Sequence, residues 1–415
     1  MTNYKNSGIE WIGDIPKNWK VNRLKIVLQE RNENNNPIKT DYILSLTNDR
    51  GVIPYTDKGE IGNKSKDDIS GYKLAYPNDI VLNSMNVIIG SVGISKYYGA
   101  VSPVYYMLKP RYDSDDVRFY NYIFQTNEFQ NRLKGYGNGI LEIRMRIQML
   151  KLNTVELPIP PSEEQFKIAN FLDRKCSQID ALISLEEKEI EKLKEYKTAV
   201  ITKMVTKGLE NSISMKDTGI PWIGEIPEHW NCDRLKFFYL NRNAKFDGSD
   251  VSYFALENIE SWSGVYIDTN SEYDKTQSNM VYAGDVVFGK LRPYLAKSLL
   301  VKEKQCCSSE FAIFYDKKGT SAEYLHYLML SHWFVNIVDS STYGTKMPRA
   351  SIEFIKNMII PYPSYDEQKS ICDWIKVRLS QINNLIILKN KKIEELKIYK
   401  KSMIYEYVTG KKRCI

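Results

Sequence analysis

Two long stretches of the chain place apolar residues at alternating steps of four and three. The first stretch runs through Leu172, Cys176, Ile179, Ile183, Glu186, Ile190, Leu193, Lys197, Val200 and Met204. The second runs through Ile375, Leu379, Ile382, Ile386, Lys389, Ile393, Leu396, Lys400, Met403 and Tyr407. Charged residues interrupt each seam at only two positions. Seams sustained over several heptads are typical of coiled-coil helices rather than of ordinary surface helices.

The two seams carry opposite charges at one equivalent position. Glu186 in the first seam matches Lys389 in the second, which favours pairing of the two helices with each other, most simply antiparallel. The alternative for these two charges is that both are solvated at the edge of the seam. A helix of about 40 to 45 residues spans on the order of 65 Å at about 1.5 Å per residue. The paired helices are therefore expected to form a spacer.

The rest of the chain alternates short segments rich in Tyr, Val and Ile with turns of Gly, Asn and Asp, which predicts α+β domains with many short strands. Strands are predicted over 42–46, 79–82 and 105–108 in the first half, and over 253–256, 285–288 and 311–314 in the second. Helices are predicted over 115–134 and 321–338. The order of elements agrees between the halves, whereas the residues between the elements differ.

The sequence also repeats itself literally. GIEWIGDIPKNW begins at Gly8 and GIPWIGEIPEHW begins at Gly219, and before the seams PIPPSEEQ ends at Gln165 and PYPSYDEQ at Gln368. Solenoid repeats have periods of about 20 to 50 residues, so copies this much longer are expected to be whole domains, each followed by a helix. The tryptophans of the first motif are expected to clamp a turn onto each core; they are Trp11, Trp19, Trp222 and Trp230.

Each long helix is expected to begin with a capping box directly after the prolines. Ser162 with Gln165, and Ser364 with Glu367, have the required spacing. In such a box the serine accepts a bond from a free backbone N–H, and the third helical residue returns one.

The composition is that of a soluble globular protein, with 43% hydrophobic and 26% charged residues, and no apolar stretch approaches the roughly 20 residues of a membrane span. A length of 415 residues suggests two or more domains. The polar N-terminus and six cysteines without C-x-x-C spacing favour reduced thiols and a cytoplasmic location. A net charge of +7 is compatible with a polyanionic partner.

The W-I-G-x-I-P-x-x-W opening, the prolines with Glu-Gln at each helix start and the duplicated layout of domain and helix resemble the specificity (S) subunit of Type I restriction-modification systems. The resemblance covers essentially the whole chain. It implies two target-recognition domains, at 1–157 and 211–360, each contacting one half of a split target in double-stranded DNA. It further implies two long antiparallel coiled-coil helices, at 158–210 and 361–415, in a pseudo-twofold internal repeat.

By the same resemblance, the helices dock two methyltransferase (M) subunits, and the complete enzyme adds restriction (R) subunits. The residues expected at the interface of the helices and subunits are Leu172, Ile179, Ile183, Glu186, Ile190, Leu193, Ile382, Ile386, Lys389, Ile393 and Leu396.

Candidate DNA contacts in the second half follow a predicted strand. Lys290, Arg292 and Lys297 lie in GDVVFGKLRPYLAK, which resembles a common recognition-domain motif of the family. Arg and Lys there can bind guanine O6 and N7 or neutralise phosphates; a solvated charged turn is the alternative. Lys346 and Arg349 lie in a Gly-containing loop before the second long helix, where a flexible backbone and cations suit approach to phosphate.

The first half lacks the K-x-R-P segment and resembles a different subclass of recognition domain. At that place it has Asn83 and Asn86. These amides are suited to contact adenine in the major groove, or to satisfy their own backbone in a turn, and both readings stay open. The basic, Gly-containing loop of this half carries Lys134, Asn138, Arg144 and Arg146.

The sequence offers no catalytic constellation. Its three histidines have no ligand-like spacing, and it contains no Walker A, zinc or Asn-Pro-Pro-Tyr/Phe segment. The chain is therefore expected to be non-catalytic and to hold no cofactor, while S-adenosylmethionine, ATP and magnesium are implied for the partner subunits. Two rivals remain: a self-sufficient nuclease with a hidden metal site, which would cut DNA alone with magnesium, and a coiled-coil protein-binding adaptor without DNA specificity.

Overall fold

The computed structural model describes residues 4–48, 50–59, 68–137, 146–210, 212–269, 275–344 and 346–414. The chain forms two compact units, each with its own hydrophobic core. The first unit consists of Met1–Leu185 with Lys391–Ile415, and the second consists of Glu186–Asn390.

A four-stranded antiparallel sheet with the order β4-β11-β8-β9 lies at the centre of the first unit. The strands are β1 (Tyr4–Asn6), β2 (Asp14–Pro16), β3 (Lys20–Arg23), β4 (Leu28–Arg31), β5 (Leu44–Thr47), β6 (Gly51–Pro54), β7 (Lys73–Ala75), β8 (Ile80–Asn83), β9 (Val92–Ile94), β10 (Gly99–Val101), β11 (Tyr105–Pro110) and β12 (Glu156–Ile159). The remaining strands of the unit form two-stranded sheets: β1-β2, β3-β12, β5-β6 and β7-β10. The short helices are α1 (Leu24–Val27), α2 (Val117–Phe124), α3 (Asn127–Lys134) and α4 (Met149–Leu152), with 3-10 turns at Tyr55–Lys58 and Val87–Ile89.

Helix α5 (Ser162–Lys207) follows, and the second unit then repeats the order of elements without a strand equivalent to β6 among the described residues. Its strands are β13 (Met215–Asp217), β14 (Glu225–Pro227), β15 (Asn231–Arg234), β16 (Tyr239–Asn241), β17 (Tyr253–Phe254), β18 (Asn279–Val281), β19 (Val286–Gly289), β20 (Ser298–Leu300), β21 (Gln305–Cys307), β22 (Phe311–Asp316) and β23 (Ile359–Tyr362). Its helices are α6 (Leu235–Phe238), α7 (Ala322–Met329), α8 (His332–Ser340) and α9 (Ile352–Asn357), with 3-10 turns at Leu256–Asn258 and Pro293–Leu295. Helix α10 (Tyr365–Val408) follows, and its residues from Lys391 onwards belong to the first unit. The central sheet has the order β16-β22-β19-β20, beside β13-β14, β15-β23 and β17-β21-β18.

These elements confirm the α+β prediction, and one feature of it is wrong. Each predicted helix, 115–134 and 321–338, is a pair of short helices. The break in the first unit falls at Thr126, whose hydroxyl donates to the Ile123 carbonyl at 2.8 Å and accepts from the Phe129 N–H at 3.4 Å. Ser331 donates to the Leu328 carbonyl at 2.6 Å in the same place of the second unit. A hydroxyl that bonds its own backbone ends the first helix of each pair, and at Thr126 it also caps the start of the second.

The long helices pack against each other in an antiparallel sense within the first unit. The rings of Phe171 in α5 and Tyr407 in α10 lie 4.4 Å apart, centre to centre. Nine residues further along α5, Asp180 pairs with Lys400 at 2.7 Å. Because the partner in α10 moves backwards as the position in α5 advances, the two segments run in opposite directions.

The segments of these helices in the second unit are also antiparallel. Lys389 donates to the Glu186 carboxylate at 2.8 Å and also pairs with Glu189. Further along α5, Lys197 donates to the Asn383 amide oxygen at 2.9 Å. The predicted pairing of the helices is therefore confirmed, and the opposite charges of Glu186 and Lys389 meet in an ion pair. All of the seam positions predicted from the sequence are buried or half-buried.

The capping-box prediction is confirmed only for the serine of the second box, because Ser364 accepts from the Glu367 N–H at 3.4 Å. The side chains of Gln165 and Glu367 bond other partners, because the Glu-Gln pair has a different task. Gln165 is 1% exposed; its amide donates to the Pro160 carbonyl and accepts from the backbone N–H of Asp116, both at 3.0 Å. Gln368 makes the same two bonds, to Pro363 and from Ser321, each at 2.9 Å. A buried amide with both ends satisfied fixes the start of each long helix to the start of a domain helix.

The glutamate of the same pair binds the tryptophan that ends the repeated motif. The indole N–H of Trp19 donates to Glu164 at 2.7 Å, and that of Trp230 donates to Glu367 at 2.8 Å. Both tryptophans are fully buried, as expected for a clamp on the core. Trp222 departs from that expectation, since 40% of its surface is exposed.

Each long helix ends at a glycine that lies against one of these buried tryptophans. Gly208 after α5 has φ 71°, and a Cβ there would lie 3.2 Å from the Trp230 ring. Gly410 after α10 has φ 72°, and a Cβ there would lie 2.5 Å from Pro16 and 3.1 Å from the Trp19 ring. The positive φ and the close ring both require glycine. Each tryptophan thus contacts the start of one long helix and the end of the other.

Candidate nucleic-acid interface

Backbone hydrogen bonds join the two basic segments of the second unit, which lie more than 50 residues apart in the sequence. The Arg292 N–H donates to the Pro348 carbonyl at 2.8 Å, and the Ala350 N–H donates to the Lys290 carbonyl at 2.9 Å. Arg292 holds the left-handed conformation, φ 51° and ψ 61°, which is rare for a side chain other than glycine. The turn after β19 is therefore fixed against the loop before α9, and Arg349 is brought next to Lys290.

The side chains of this joined region differ in how far they reach solvent. Arg292 and Lys346 are exposed, and Lys290 is half-buried. Burial lowers the pKa of the Lys290 ammonium, which the nearby Glu310 carboxylate partly counters. Arg349 is exposed over 46% of its side chain and donates through Nη2 to Glu310 Oε1 at 2.6 Å. The region therefore presents several cations around one carboxylate.

A polar cleft of about 360 Å³ lies beside this joint. Among the residues that line it are Lys245, Asn279, Lys290, Glu310 and Arg349. Lys245 donates to the Asn279 amide oxygen at 3.1 Å. With Arg242 also in the lining, two lysines and two arginines outnumber the one carboxylate. The cleft has the electrostatic character and the hydrogen-bonding groups needed for a nucleotide.

Glu310 was not predicted as a site residue. It lies one residue before β22, and the register pairs Gly289 of β19 with Phe311 of β22. Its backbone carbonyl accepts from the Lys290 N–H at 2.9 Å. The signal was available in the sequence, because both strands were predicted, but only the register between them places Glu310 beside Lys290.

Lys297 does not join the other cations. Its ammonium donates to the Leu256 carbonyl at 2.6 Å, and burial lowers its pKa. It therefore ties β20 to the 3-10 turn at Leu256–Asn258 within the second unit.

The first unit contains the same joint with different side chains. The Ile147 N–H donates to the Ser84 carbonyl at 2.9 Å, as Ala350 does to Lys290. The register pairs Asn83 of β8 with Tyr105 of β11, so Ser84 is equivalent to Lys290 and Val104 to Glu310. Arg146, next to Ile147, is exposed and equivalent to Arg349.

The asparagines of the first unit occupy the turn after β8. The Asn83 amide oxygen accepts from the Met85 N–H at 3.0 Å, which is the backbone-satisfying alternative considered from the sequence. Asn86 precedes the 3-10 turn Val87–Ile89, and its side chain makes no capping bond there. Both side chains are half-buried.

The basic loop of the first unit is described only in part. Lys134 is exposed in the last turn of α3. A Cβ at Gly90, which follows the 3-10 turn, would lie 3.2 Å from the Gln130 amide nitrogen of α3. The asparagine turn therefore packs beside the helix that carries Lys134. Asn138 and Arg144 lie outside the described residues.

Two kinds of feature are absent from the described part of the chain. Across these residues, none of the helices is both long and apolar enough to cross a membrane. Within the same ranges, histidine, cysteine, aspartate and glutamate side chains form no group of three placed to hold a metal ion, and no cofactor site is shown.

The chain matches proteins of known type along nearly its whole length. It is 26% identical to the Type I restriction enzyme MjaVIII specificity subunit of Methanocaldococcus jannaschii, over 97% of this chain and 92% of that protein. It is 22% identical to the Type I restriction enzyme EcoDI specificity subunit of Escherichia coli, over 72% of this chain and 70% of that protein.

Solved structures share the fold at low sequence identity. A chain from a structure of complex assembly and conformational transition of the type I R-M system has a TM-score of 0.69 and 12% identity, covering 95% of this chain and 98% of that one. The HsdS subunit from Thermoanaerobacter tengcongensis has a TM-score of 0.53 and 14% identity, with the same coverage.

The family described as "Type I restriction modification DNA specificity domain" matches this chain twice, at residues 16–195 and 233–398. The two matches together cover most of the sequence and contain both central sheets, both joints and most of both long helices. The chain therefore belongs to the DNA specificity subunits of Type I restriction-modification systems, a non-catalytic family.

Proposed function

We propose that each unit of this specificity subunit contacts one half of an asymmetric bipartite target in double-stranded DNA. The observation that carries the proposal is the joint present in both units: identical backbone bonds at Ser84–Ile147 and Lys290–Ala350 hold unlike side chains. A common frame with different hydrogen-bonding groups approaches DNA alike and selects different bases. The target-recognition domains are proposed to occupy 1–157 and 211–360.

In the second half-site, we assign contacts to the cations of the joined region: Lys290, Arg292, Lys346 and Arg349. The cleft beside them suits a phosphate or a guanine edge. Lys297 is left out of this set, because its ammonium is bonded to the Leu256 carbonyl.

In the first half-site, the proposed contacts are Asn83, Asn86, Lys134, Asn138, Arg144 and Arg146. Asn83 uses its amide oxygen on the backbone, so its proposed contribution is through the amide N–H groups. Asn86 makes no capping bond and is the better candidate for the paired contact with adenine.

The long helices, with the segments 158–210 and 361–415, are proposed to set the distance between half-sites and to dock two M subunits, with R subunits completing the enzyme. Large apolar side chains exposed on the helices support docking: Leu182 and Leu185 on α5, and Trp374, Val377, Leu385 and Leu388 on α10. Apolar groups on an outer helix face are typical of protein interfaces. S-adenosylmethionine, ATP and magnesium are assigned to those partners.

Mapping of methylated adenines tests this function. DNA from cells that express this chain with its M partner is expected to be methylated within two specific blocks separated by a non-specific spacer of fixed length. Adenine methylation that does not depend on this chain, or that falls in one continuous block, contradicts bipartite recognition. An adaptor without DNA specificity predicts no such pattern.

A matched insertion tests the spacer. Seven residues are added between Leu185 and Glu186 and seven more between Asn390 and Lys391, so that the antiparallel partners lengthen together. At about 1.5 Å per residue this adds about 10 Å, or about three base pairs at roughly 3.4 Å each. The mapped spacer is expected to lengthen while both blocks stay unchanged; an unchanged spacer shows that the helices do not set it. Seven residues added to α5 alone serve as the mismatched control.

A further inference from the structure

The Arg349 side chain is exposed over 46% of its surface and is nevertheless held in place. Glu310 accepts from its Nη2 at 2.6 Å, and its backbone bridges to Leu291 and Tyr343 on either side. A guanidinium carries five N–H groups in a planar fork, so one bond to Glu310 leaves the fork with further donors. With both ends of the residue anchored, the fork meets a ligand with little loss of side-chain freedom.

Pairing with Glu310 also changes what Arg349 attracts. A lone arginine beside DNA is drawn strongly to phosphate, and this attraction carries no sequence information. The Glu310 carboxylate offsets that charge at 2.6 Å, which weakens the pull of a phosphate but leaves the directional donors. The paired fork is therefore better suited to the edge of a base than to the backbone.

The second oxygen of Glu310 adds an acceptor next to these donors. Oε2 is shielded from solvent and has no hydrogen-bond partner among the residues that the structure describes. Glu310 lines the cleft and its side chain is 26% exposed, so a ligand that enters the cleft can contact the carboxylate. The Arg349–Glu310 pair thus presents two donors and one acceptor side by side.

The first unit has the arginine of this pair but not the carboxylate. Arg146 occupies the position of Arg349, and Val104 occupies the position of Glu310. Valine cannot hold a guanidinium or offset its charge. The carboxylate of this pair is therefore present in the second unit only. The architecture shared by the two recognition domains does not require it.

We infer that Arg349 and Glu310 together read one G·C base pair of the second half-site in the major groove. Arg349 donates to guanine N7 and O6, and Glu310 accepts from the N4 amino group of the cytosine paired with it. The edge of a G·C pair presents this order of two acceptors and one donor. The inference rests on the proposed function and deepens it by naming a base pair and a specificity residue, Glu310.

The test uses the complex of this chain with its M partner and duplexes that carry the mapped target. The initial methylation rate is measured with each base pair of the second half-site replaced in turn. The wild-type complex is expected to discriminate against replacement of one G·C pair by about 5- to 150-fold. Arg349→Ala and Glu310→Ala are each expected to remove most of that discrimination at this pair and to keep the preferences at the other positions.

Base analogues identify the contacted atoms. 7-Deazaguanine lacks N7, so placed at that pair it is expected to slow the wild-type complex and to leave Arg349→Ala unaffected. Inosine paired with cytosine keeps O6 and N7 and lacks only the minor-groove amino group, so it is expected to react like guanine. Arg349→Lys is not expected to restore discrimination, because an ammonium has no planar fork.

Controls separate this inference from a structural role and from the proposed function. Glu310→Gln keeps the shape and an acceptor oxygen but not the charge, and it is expected to regain part of the discrimination; a melting temperature unchanged in both Glu310 variants shows that the fold is intact. Arg146→Ala is expected to alter preference in the first half-site only.

Equal loss at every position of the second half-site, or loss confined to an A·T pair, overturns the inference while bipartite recognition stands. Loss of two-block methylation in the wild-type complex overturns the proposed function itself.

Discussion

The two units share a buried ion pair and differ in the side chains that are proposed to contact DNA. Arg31 pairs with Asp79 at 2.8 Å in the first unit, and Arg242 pairs with Asp285 at 2.7 Å in the second. Where the first unit has Val104 and Arg146 at the equivalent positions, however, the second has a carboxylate paired with its arginine. A buried ion pair cannot lose one member without leaving an unpaired charge, whereas an exposed reader can change freely. The buried contacts that hold the fold are therefore repeated in the two units, whereas the side chains proposed to select bases are not.

One contact lies between these extremes, because it keeps the pair and reverses its charges. Arg118 of α2 binds Asp173 of α5 at 2.7 Å in the first unit. The equivalent pair in the second unit is Glu323 of α7 with Lys376 of α10, at 2.8 Å. The contact between a domain helix and a long helix therefore has opposite charges in both units, and the positive charge lies on the domain helix in one unit and on the long helix in the other.

A third position has changed its chemistry altogether. Asn121 of α2 is equivalent to His326 of α7, and both are buried. A Cβ at Gly264 would lie 2.5 Å from the His326 ring, so the loop of the second unit covers this histidine. In the first unit, Asn121 instead lines an open pocket of about 380 Å³, and its amide oxygen has no partner among the described residues.

The largest expected effect breaks the repeated frame. Trp230→Ala removes a side chain with 0% exposure together with its bond to Glu367, and we expect it to cost about 3 to 5 kcal/mol of stability in the second unit. Hydrogen exchange followed by mass spectrometry measures this in peptides of α7 and β22. The matched control is Trp222→Ala, whose side chain is 40% exposed, with an expected change of about 1 kcal/mol or less. Equal effects of both variants contradict the assigned clamp.

The next effect is a pH dependence confined to one unit. Burial lowers the pKa of His326 to about 4, against about 6.5 in an unfolded chain. The unfolded state therefore binds more protons between these values, so the second unit loses stability as the pH falls from 6.5 towards 4, by about 3 kcal/mol at most. Hydrogen exchange in α7, corrected for the intrinsic rate at each pH, measures the loss.

The first unit is the built-in control for this dependence. Peptides of α2 contain Asn121 at the same position and are expected to lack the His326 contribution. His326→Asn is expected to flatten the pH profile of α7. A profile for this variant as steep as that of the wild-type chain shows that other groups cause the loss.

A smaller effect sharpens the comparison of helix contacts. Glu186 has a side chain only 7% exposed, so Glu186→Lys places a second ammonium against Lys389 in a half-buried site. We expect it to cost about 2 kcal/mol and to loosen the helix pairing. Asp180 is 57% exposed in its pair with Lys400, so Asp180→Lys is expected to cost less than about 1 kcal/mol. Urea unfolding compares the two, and a larger loss for Asp180→Lys contradicts the assignment.

The smallest effect tests the reversed pair. Asp173→Lys against Arg118 is expected to cost about 1 kcal/mol, since both side chains are partly exposed. Adding Arg118→Glu recreates the polarity of the second unit and is expected to restore most of the loss. A double-mutant cycle measures the coupling, and additive losses show that these charges do not interact.

The sequence predicted the parts of the fold that follow from periodicity. The seams gave the buried face of α5 and α10, because only one face of a helix repeats at steps of four and three. The same reasoning failed at Thr126 and Ser331, where a single hydroxyl divides one predicted helix into two. It also failed for the side chains of Gln165 and Glu367, which bond the remote Asp116 N–H and Trp230 indole instead of returning a bond to the serine of a capping box.

The candidate site was predictable where it follows a strand and not where it depends on register. In the sequence, Lys290 and Arg292 are recognisable as cations directly after the strand β19. Arg349 is recognisable as a cation in the loop before the second long helix. Glu310 looks like any turn carboxylate until β19 and β22 are paired. The bond of the Lys297 ammonium to the Leu256 carbonyl could not be predicted from the sequence either. A lysine after a strand reaches a carbonyl or solvent depending on its χ angles, and the sequence pattern does not encode these angles.

The core of the first unit contains Met403, Ile404 and Val408 of α10, so it draws on residues translated almost 400 positions after its first strand. A ribosome must therefore translate α10 before the first unit can close its core, at a point where Glu186–Asn390 already has all of its residues. A nick or early stop near Lys391 would damage the first unit, which has residues on both sides of the cut, and spare Glu186–Asn390.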